Sequence, residues 1–158
     1  MIVVADTSPL NYLIQIDSDH ILPRLYGSIV IPSAVMGELG DSRAPLAIRQ
    51  WLFHVPSWLE VKLLSAAPEP ALAYLGPGER EAIQLCEELK ADLLLIDERD
   101  GRLEAKRRGL LTTGTLGVLL AAGELGLIDT RKAYRRLIDE TSFRVSAELE
   151  ARFLEQIQ

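Results

Sequence analysis

Ile2-Val3-Val4-Ala5-Asp6 and Leu93-Leu94-Leu95-Ile96-Asp97 are the two stretches whose reading decides the fold. Each is a short aliphatic run without polar alternation, ended by an aspartate. Such a run describes a strand buried on both faces, as parallel strands under helices are. In an open parallel sheet, functional groups collect beyond the carboxyl ends of the strands. If the two runs are parallel strands of one sheet, Asp6 and Asp97 emerge on the same edge. A single aspartate there is well explained as a cap on the following helix, because its side chain accepts orphan N–H groups. Two at equivalent positions favour a site.

Three further runs read as strands: Ser28–Ile31, Leu59–Leu63 and Leu110–Thr112. They are short, aliphatic, and bounded by Asp, Gly or Pro. Helical patterns lie between them. Thr7-Ser8-Pro9 caps and starts one, and Pro32 starts another. Ala82, Leu85, Cys86 and Leu89 form an i, i+3, i+4, i+7 stripe on a third. Leu116, Leu119, Leu120 and Gly123 mark a fourth, and Leu149, Phe153 and Ile157 a last one. This alternation predicts an α/β fold with a mainly parallel five-stranded sheet between helices. The proline-rich Ser65–Gly78 reads as a loop or interrupted helix. Neither half of the chain could bury a core alone, so residues 1–158 read as one domain.

The 158 residues are 48% hydrophobic and 25% charged, a globular balance that excludes disorder and fibrous repeats. A single cysteine, Cys86, excludes a disulfide framework and suits a reducing, cytoplasmic setting. The chain starts without the basic segment of a signal peptide. Gly109–Ile128 is long and mostly apolar, but its glycines, threonines and Glu124 break it into a short strand and a helix, not a membrane span. The 23 acidic residues outnumber 17 basic ones, giving a net charge of −6. Bulk attraction to nucleic acid is thereby excluded, and any such chemistry must be local, through metal ions or a basic patch. Thirteen of the basic residues are arginine, suited to a two-pronged grip on phosphate or carboxylate.

Two more acidic positions join the aspartates. Glu38 lies within the Ala34, Val35, Leu39 stripe, where an unpaired carboxylate is costly, so an arginine or a metal must meet it. Gly78-Glu79-Arg80-Glu81 opens the next helix. Acidic residues in a first turn also complement the helix dipole, and periodicity does not choose between Glu79 and Glu81. Four carboxylates in one cleft cannot all stay ionised without counter-charge. All-oxygen ligation selects a hard ion, Mg²⁺ or Mn²⁺. Two such ions about 4 Å apart activate a water and hold the leaving oxygen of a phosphodiester.

In this order and spacing, five segments resemble the PIN-domain family, and within it a branch of small prokaryotic nucleic-acid-binding proteins. They are Val4-Ala5-Asp6-Thr7-Ser8-Pro9-Leu10, Ile31-Pro32-Ser33-Ala34-Val35-Met36-Gly37-Glu38-Leu39, Gly78-Glu79-Arg80-Glu81-Ala82-Ile83, Asp92-Leu93-Leu94-Leu95-Ile96-Asp97-Glu98-Arg99 and Gly114-Thr115-Leu116-Gly117. The resemblance covers residues 1 to about 128, and Phe143-Arg144-Val145-Ser146 is similar to the branch's tail. It implies a three-layer α/β/α sandwich and a Mg²⁺- or Mn²⁺-dependent endoribonuclease. The catalytic, metal-binding carboxylates it implies are Asp6, Glu38, Glu81 and Asp97, with an auxiliary hydroxyl from Thr7 or Ser8. Asp100 reads as an outer ligand or a helix cap. Many relatives are similar to toxins of VapBC-type toxin–antitoxin pairs, which implies a small antitoxin partner and a homodimer. Two departures concern substrate choice: Glu81 stands where many toxins have Asp, and the aromatic residue that often follows the last Asp is absent.

Beside Asp97, spacings of three and four place Arg99, Arg102 and Lys106 on one helix face. They read as an RNA-phosphate grip or as a solvated face paired with Glu98 and Glu104. Arg131, Lys132, Arg135 and Arg136 read as plain surface. Cys86 is expected in the core, Trp51 and Trp58 in a core or a subunit contact, and His20 and His54 lack ligand spacing. The competing reading is a non-catalytic PIN-fold module that binds RNA or protein. An aspartyl-phosphate phosphatase needs a second Asp two positions after Asp6, where Ser8 stands. A Rossmann module needs a G-x-G-x-x-G that the first strand does not precede.

Overall fold

Five parallel strands form the sheet of the computed structural model, which describes residues 1–157. They are β1 (Val3–Ala5), β2 (Ile29–Ile31), β3 (Leu59–Val61), β4 (Leu93–Leu95) and β5 (Thr112–Thr113), in the order β3-β2-β1-β4-β5. Four of the five runs expected as strands contain one, each shorter than its aliphatic run, and the fifth, Leu110–Thr112, overlaps β5 at Thr112 alone. The last is displaced: Leu111 is exposed and the ladder runs through the two threonines. β5 is an edge strand with one free side, so it does not need the aliphatic character of the centre.

The strands separate the core by their period of two. Val3, Ala5, Ile29, Ile31 and Leu95 face one layer, while Val4, Val30, Leu94 and Ile96 face the other. The first layer is packed by α1 (Thr7–Gln15), α2 (Ile21–Tyr26), α3 (Ser33–Leu39), α4 (Leu46–Trp51), α7 (Thr115–Glu124), α8 (Thr130–Glu140) and α9 (Ala147–Gln156). The second is packed by α5 (Pro77–Glu88) and α6 (Arg99–Arg107). The result is a three-layer α/β/α sandwich. No described helix is long and apolar enough to cross a membrane, Gly109–Ile128 included.

Local chemistry explains the ends of these elements. Pro77 occupies the first turn of α5, where its missing N–H costs nothing. Ser146 accepts from Leu149 N and starts α9. Phe153 of α9 stacks on Tyr134 of α8 at 4.7 Å, and the Tyr134 hydroxyl donates to Glu150. The apolar face of the last helix is thereby used on its own domain. Trp51 and Trp58 lie 6.3 Å apart against the core, with Trp51 Nε1 donating to Asp19. The Ser65–Gly78 segment is a loop with one short 3₁₀ turn, Pro70–Leu72, and its last two residues begin α5.

Candidate functional site

The strand order reverses at β1 and β4, the switch point where ligand crevices open in such sheets. Ala5 pairs with Leu95, and Asp6 N donates to Leu95 O at 2.9 Å. Asp6 and Asp97 therefore leave neighbouring strands on the same edge, one residue apart in register. Asp6 is 2% exposed, and its Oδ1 has no hydrogen-bond partner. Burial is the largest cause lifting its carboxyl to a pKa of about 7. The Thr7 N–H opposes that rise, and the charges of Glu79, Glu38 and Asp97 add to it.

The surrounding carboxylates are held by donors. Glu38 accepts from Thr7 Oγ1 at 2.5 Å and from Gly78 N at 2.8 Å, which ties α3 to the starts of α1 and α5. Among the described residues no arginine pairs with it. Asp97 accepts from Thr115 N at 2.8 Å and Thr115 Oγ1 at 2.7 Å, and so caps α7. Burial raises the Asp97 pKa, while the Thr115 bonds and the nearby Arg102 charge oppose the rise. Glycines make room for these groups. A Cβ on Gly78 would overlap the Glu38 carboxylate, and one on Gly114 would sit 2.7 Å from Asp97 Oδ1. One on Gly101 would sit 3.0 Å from Glu79 Oε2.

Glu79 and Glu81, near the start of α5, diverge. The Glu79 charge acts on Asp6, and burial with the charges of Glu98, Glu38 and Asp100 raises its own pKa against the Gly76 N–H. Glu81 turns toward α3 and accepts from Ala34 N at 3.1 Å. Of the two hydroxyls singled out in sequence, Thr7 is engaged with a carboxylate; Ser8 makes no such bond among the described residues. Asp100 is exposed and acts on Glu79 rather than on Asp6. Arg99 and Arg102 line a cavity of about 660 Å³ that also borders Asp97, whereas Lys106 does not. Arg144 and Arg152 line the same cavity and carry no signal in the sequence beyond their place in the C-terminal tail. Gly78 has a clearer one, since glycine inside a helix is destabilising unless something approaches closely.

Among the described residues no three carboxylate, histidine or cysteine side chains stand in direct ligating geometry. The donor set still fits a divalent ion: it is all oxygen, three carboxylates act on a fourth whose buried oxygen has no partner, and glycines keep the space open. A hard ion that keeps several waters bridges such a gap.

The fold is similar to that of a PilT N-terminus domain protein from the hyperthermophilic archaeon Sulfolobus solfataricus. The two share a TM-score of 0.58 and 22% identity over 77% of this chain and 93% of that one. No curated protein matches the chain. A family model described as a PIN domain matches residues 2–158. With its parallel sheet and the acidic residues at the switch point, the chain belongs to the PIN-domain family.

Proposed function

We propose that the chain is a divalent-metal-dependent nuclease, Mg²⁺ or Mn²⁺ being the ion and RNA the substrate. The carrying observation is Asp6: buried, unsatisfied at Oδ1, and facing three other acids. Such a group must take a proton or a cation. Asp6, Glu38 and Asp97 would hold the ion, with a glutamate of α5 in fourth place. Glu79 is near enough for its charge to act on Asp6, and Glu81 joins only by giving up Ala34 N–H. When bound, a divalent ion supplies counter-charge and eases ionisation of water at neutral pH. The chain does the rest. Thr7 and the Gly78 N–H fix the Glu38 carboxylate, and Thr115 fixes Asp97. Arg102, close enough to act on Asp97, offers a donor to a phosphate oxygen.

Single-stranded and structured RNA, incubated with the protein and Mn²⁺, should be cleaved by the wild type and not by Asp6→Asn. Equal cleavage by both ends this reading. Calorimetric titration with Mn²⁺ separates it from a non-catalytic RNA- or protein-binding PIN module, because a chain that takes up no divalent ion cannot run this chemistry. The family resemblance also favours a toxin paired with a small antitoxin, acting as a homodimer. A short gene immediately upstream encoding a small DNA-binding protein supports that setting.

A further inference from the structure

We propose that the β3 edge of the sheet pairs antiparallel with the β3 edge of a second copy of this chain, about a two-fold axis at Val61. The pairing rests on the homodimer named above, to which it gives a surface. It is independent of the nuclease reading, because it needs neither ion nor RNA.

β3 lies at one end of the strand order, so one of its sides has no partner strand. Ile29 N donates to Trp58 O, and Lys62 N to Ile31 O. In a parallel ladder only alternate residues of a strand bond to a given neighbour. The even-numbered residues of β3 therefore serve β2, and the N–H and C=O of Val61 point out of the sheet. Leu63 N–H makes no backbone bond among the described residues, while Leu59 N–H turns back to Pro56 O at 3.2 Å. Such an edge is a template for another strand. An antiparallel partner centred on Val61 exchanges two bonds between the Val61 residues and two more from Leu63 N–H to Leu59 O. The donor this ladder omits, Leu59 N–H, is the one already satisfied.

The side chains are self-complementary in the same register. Glu60 falls opposite the partner's Lys62, and Lys62 opposite the partner's Glu60, in non-hydrogen-bonded pairs, where side chains stand closest. Within one chain the two are only weakly joined, 4.0 Å apart with both side chains about half exposed. Edge strands that stay single are blunted by unmatched charge, proline or a bulge. β3 has neither proline nor bulge, and its lysine is matched. On the other face Val61 meets Val61, and Leu63 meets the partner's Leu59. Val61 and Leu63 are 43% and 76% exposed, and Phe53 and Val55, shortly before the strand, are exposed as well. Neighbouring apolar groups on a surface mark a contact. A copy of the chain supplies the matched charges and the apolar residues by symmetry alone. Antiparallel pairing turns the carboxyl ends of the two sheets in opposite directions, so the dimer covers neither acidic edge.

Sedimentation velocity in EDTA, over a range of protein concentrations, should find the wild type as a dimer. Val61→Pro removes an outward N–H while leaving the bonds to β2 whole, and should be monomeric. Glu60→Lys and Lys62→Glu should each dimerise at least ~10-fold more weakly, since like charges then face each other across the axis. Mixed together, these two single variants should pair with one another, because every cross-strand contact is again between opposite charges. Leu111→Lys, an exposed position beside the opposite edge strand, should dimerise as the wild type does. Circular dichroism checks that each variant folds, and the charge variants, at exposed positions, keep the test decisive if Val61→Pro does not. A monomeric wild type overturns the proposal and leaves the edge to an extended segment of another protein. A dimer that survives Val61→Pro, an equal loss in Leu111→Lys, or no rescue in the mixture overturns it too, and puts the homodimer on another face. None of these outcomes bears on cleavage, which Asp6→Asn tests separately.

Discussion

In the unfolded chain Asp6 titrates near 3.8, and in the fold at about 7. The folded protein thus keeps a proton over an interval in which the unfolded chain has lost it. The stability this proton contributes is complete below pH 4 and is lost as pH rises through 7. At about 1.36 kcal/mol per unit the loss is roughly 4 kcal/mol as an upper bound. Asp6→Asn, which carries no charge to bury, should therefore raise the thermal midpoint at pH 8 in EDTA and change it little at pH 4. A lower midpoint at pH 8 would count against buried repulsion. The glutamates of α5 supply a second comparison. Removing a like charge near Asp6 lowers its pKa, so Glu79→Gln should shift the pH dependence of stability downward while Glu81→Gln leaves it in place. Carboxyl NMR titration reads this directly. Sequence could not choose between Glu79 and Glu81, because two positions apart on a helix are about 200° apart in azimuth and either can face the cleft. The choice is made by Ala34, whose N–H finds no acceptor within its own helix at the start of α3 and donates to Glu81 instead.

At the scale of elements, the strands were legible because burial on both faces leaves only aliphatic residues to fill them. The edge strand β5 was expected over Leu110–Thr112 and lies instead at Thr112–Thr113 for the converse reason, since it has a free side. The Ser65–Gly78 loop carried no pattern that says how it is held, and its anchor is a side chain far away in sequence. Arg108, just beyond α6, donates to Glu104 at 2.8 Å, to Glu69 of the loop at 2.7 Å and to Glu87 of α5 at 2.8 Å. Tyr74 of the loop donates to the same buried Glu104 at 2.5 Å. This clasp fixes the segment that ends in Gly76-Pro77-Gly78, and so the N–H that holds Glu38. Arg108→Met keeps the aliphatic stem and leaves Glu104 with one strong donor fewer. It should cost about 2–3 kcal/mol, the scale of hydrogen bonds to a charged group. Urea denaturation measures the loss. Limited proteolysis should then cut first within residues 64–76, and an unchanged cleavage pattern would show that the loop is held by something else.

For the whole molecule, alternation of strand and helix was enough to give the class of fold, but not the order of its strands. β1 pairs with β4 across an intervening crossover, and that pairing alone turns two aspartates distant along the chain into neighbours. The fold consequently concentrates repulsion at one edge of its sheet, beside a cavity that four exposed arginines line. A divalent ion that binds only the folded state should therefore stabilise the entire domain. The gain follows RT ln(1 + [ion]/Kd), about 2.7 kcal/mol at a hundredfold excess over Kd. For a chain this size each kcal/mol moves the midpoint by roughly 2–4 °C. Adding Mn²⁺ at pH 8 should thus raise the wild-type midpoint by several degrees. At pH 5 the rise should shrink, because the proton on Asp6 competes with the ion. In Asp6→Asn it should nearly vanish at both. Scanning calorimetry across the four conditions decides the matter: an equal rise in wild type and variant would place the ion elsewhere on the surface and detach metal binding from the edge where β1 and β4 end.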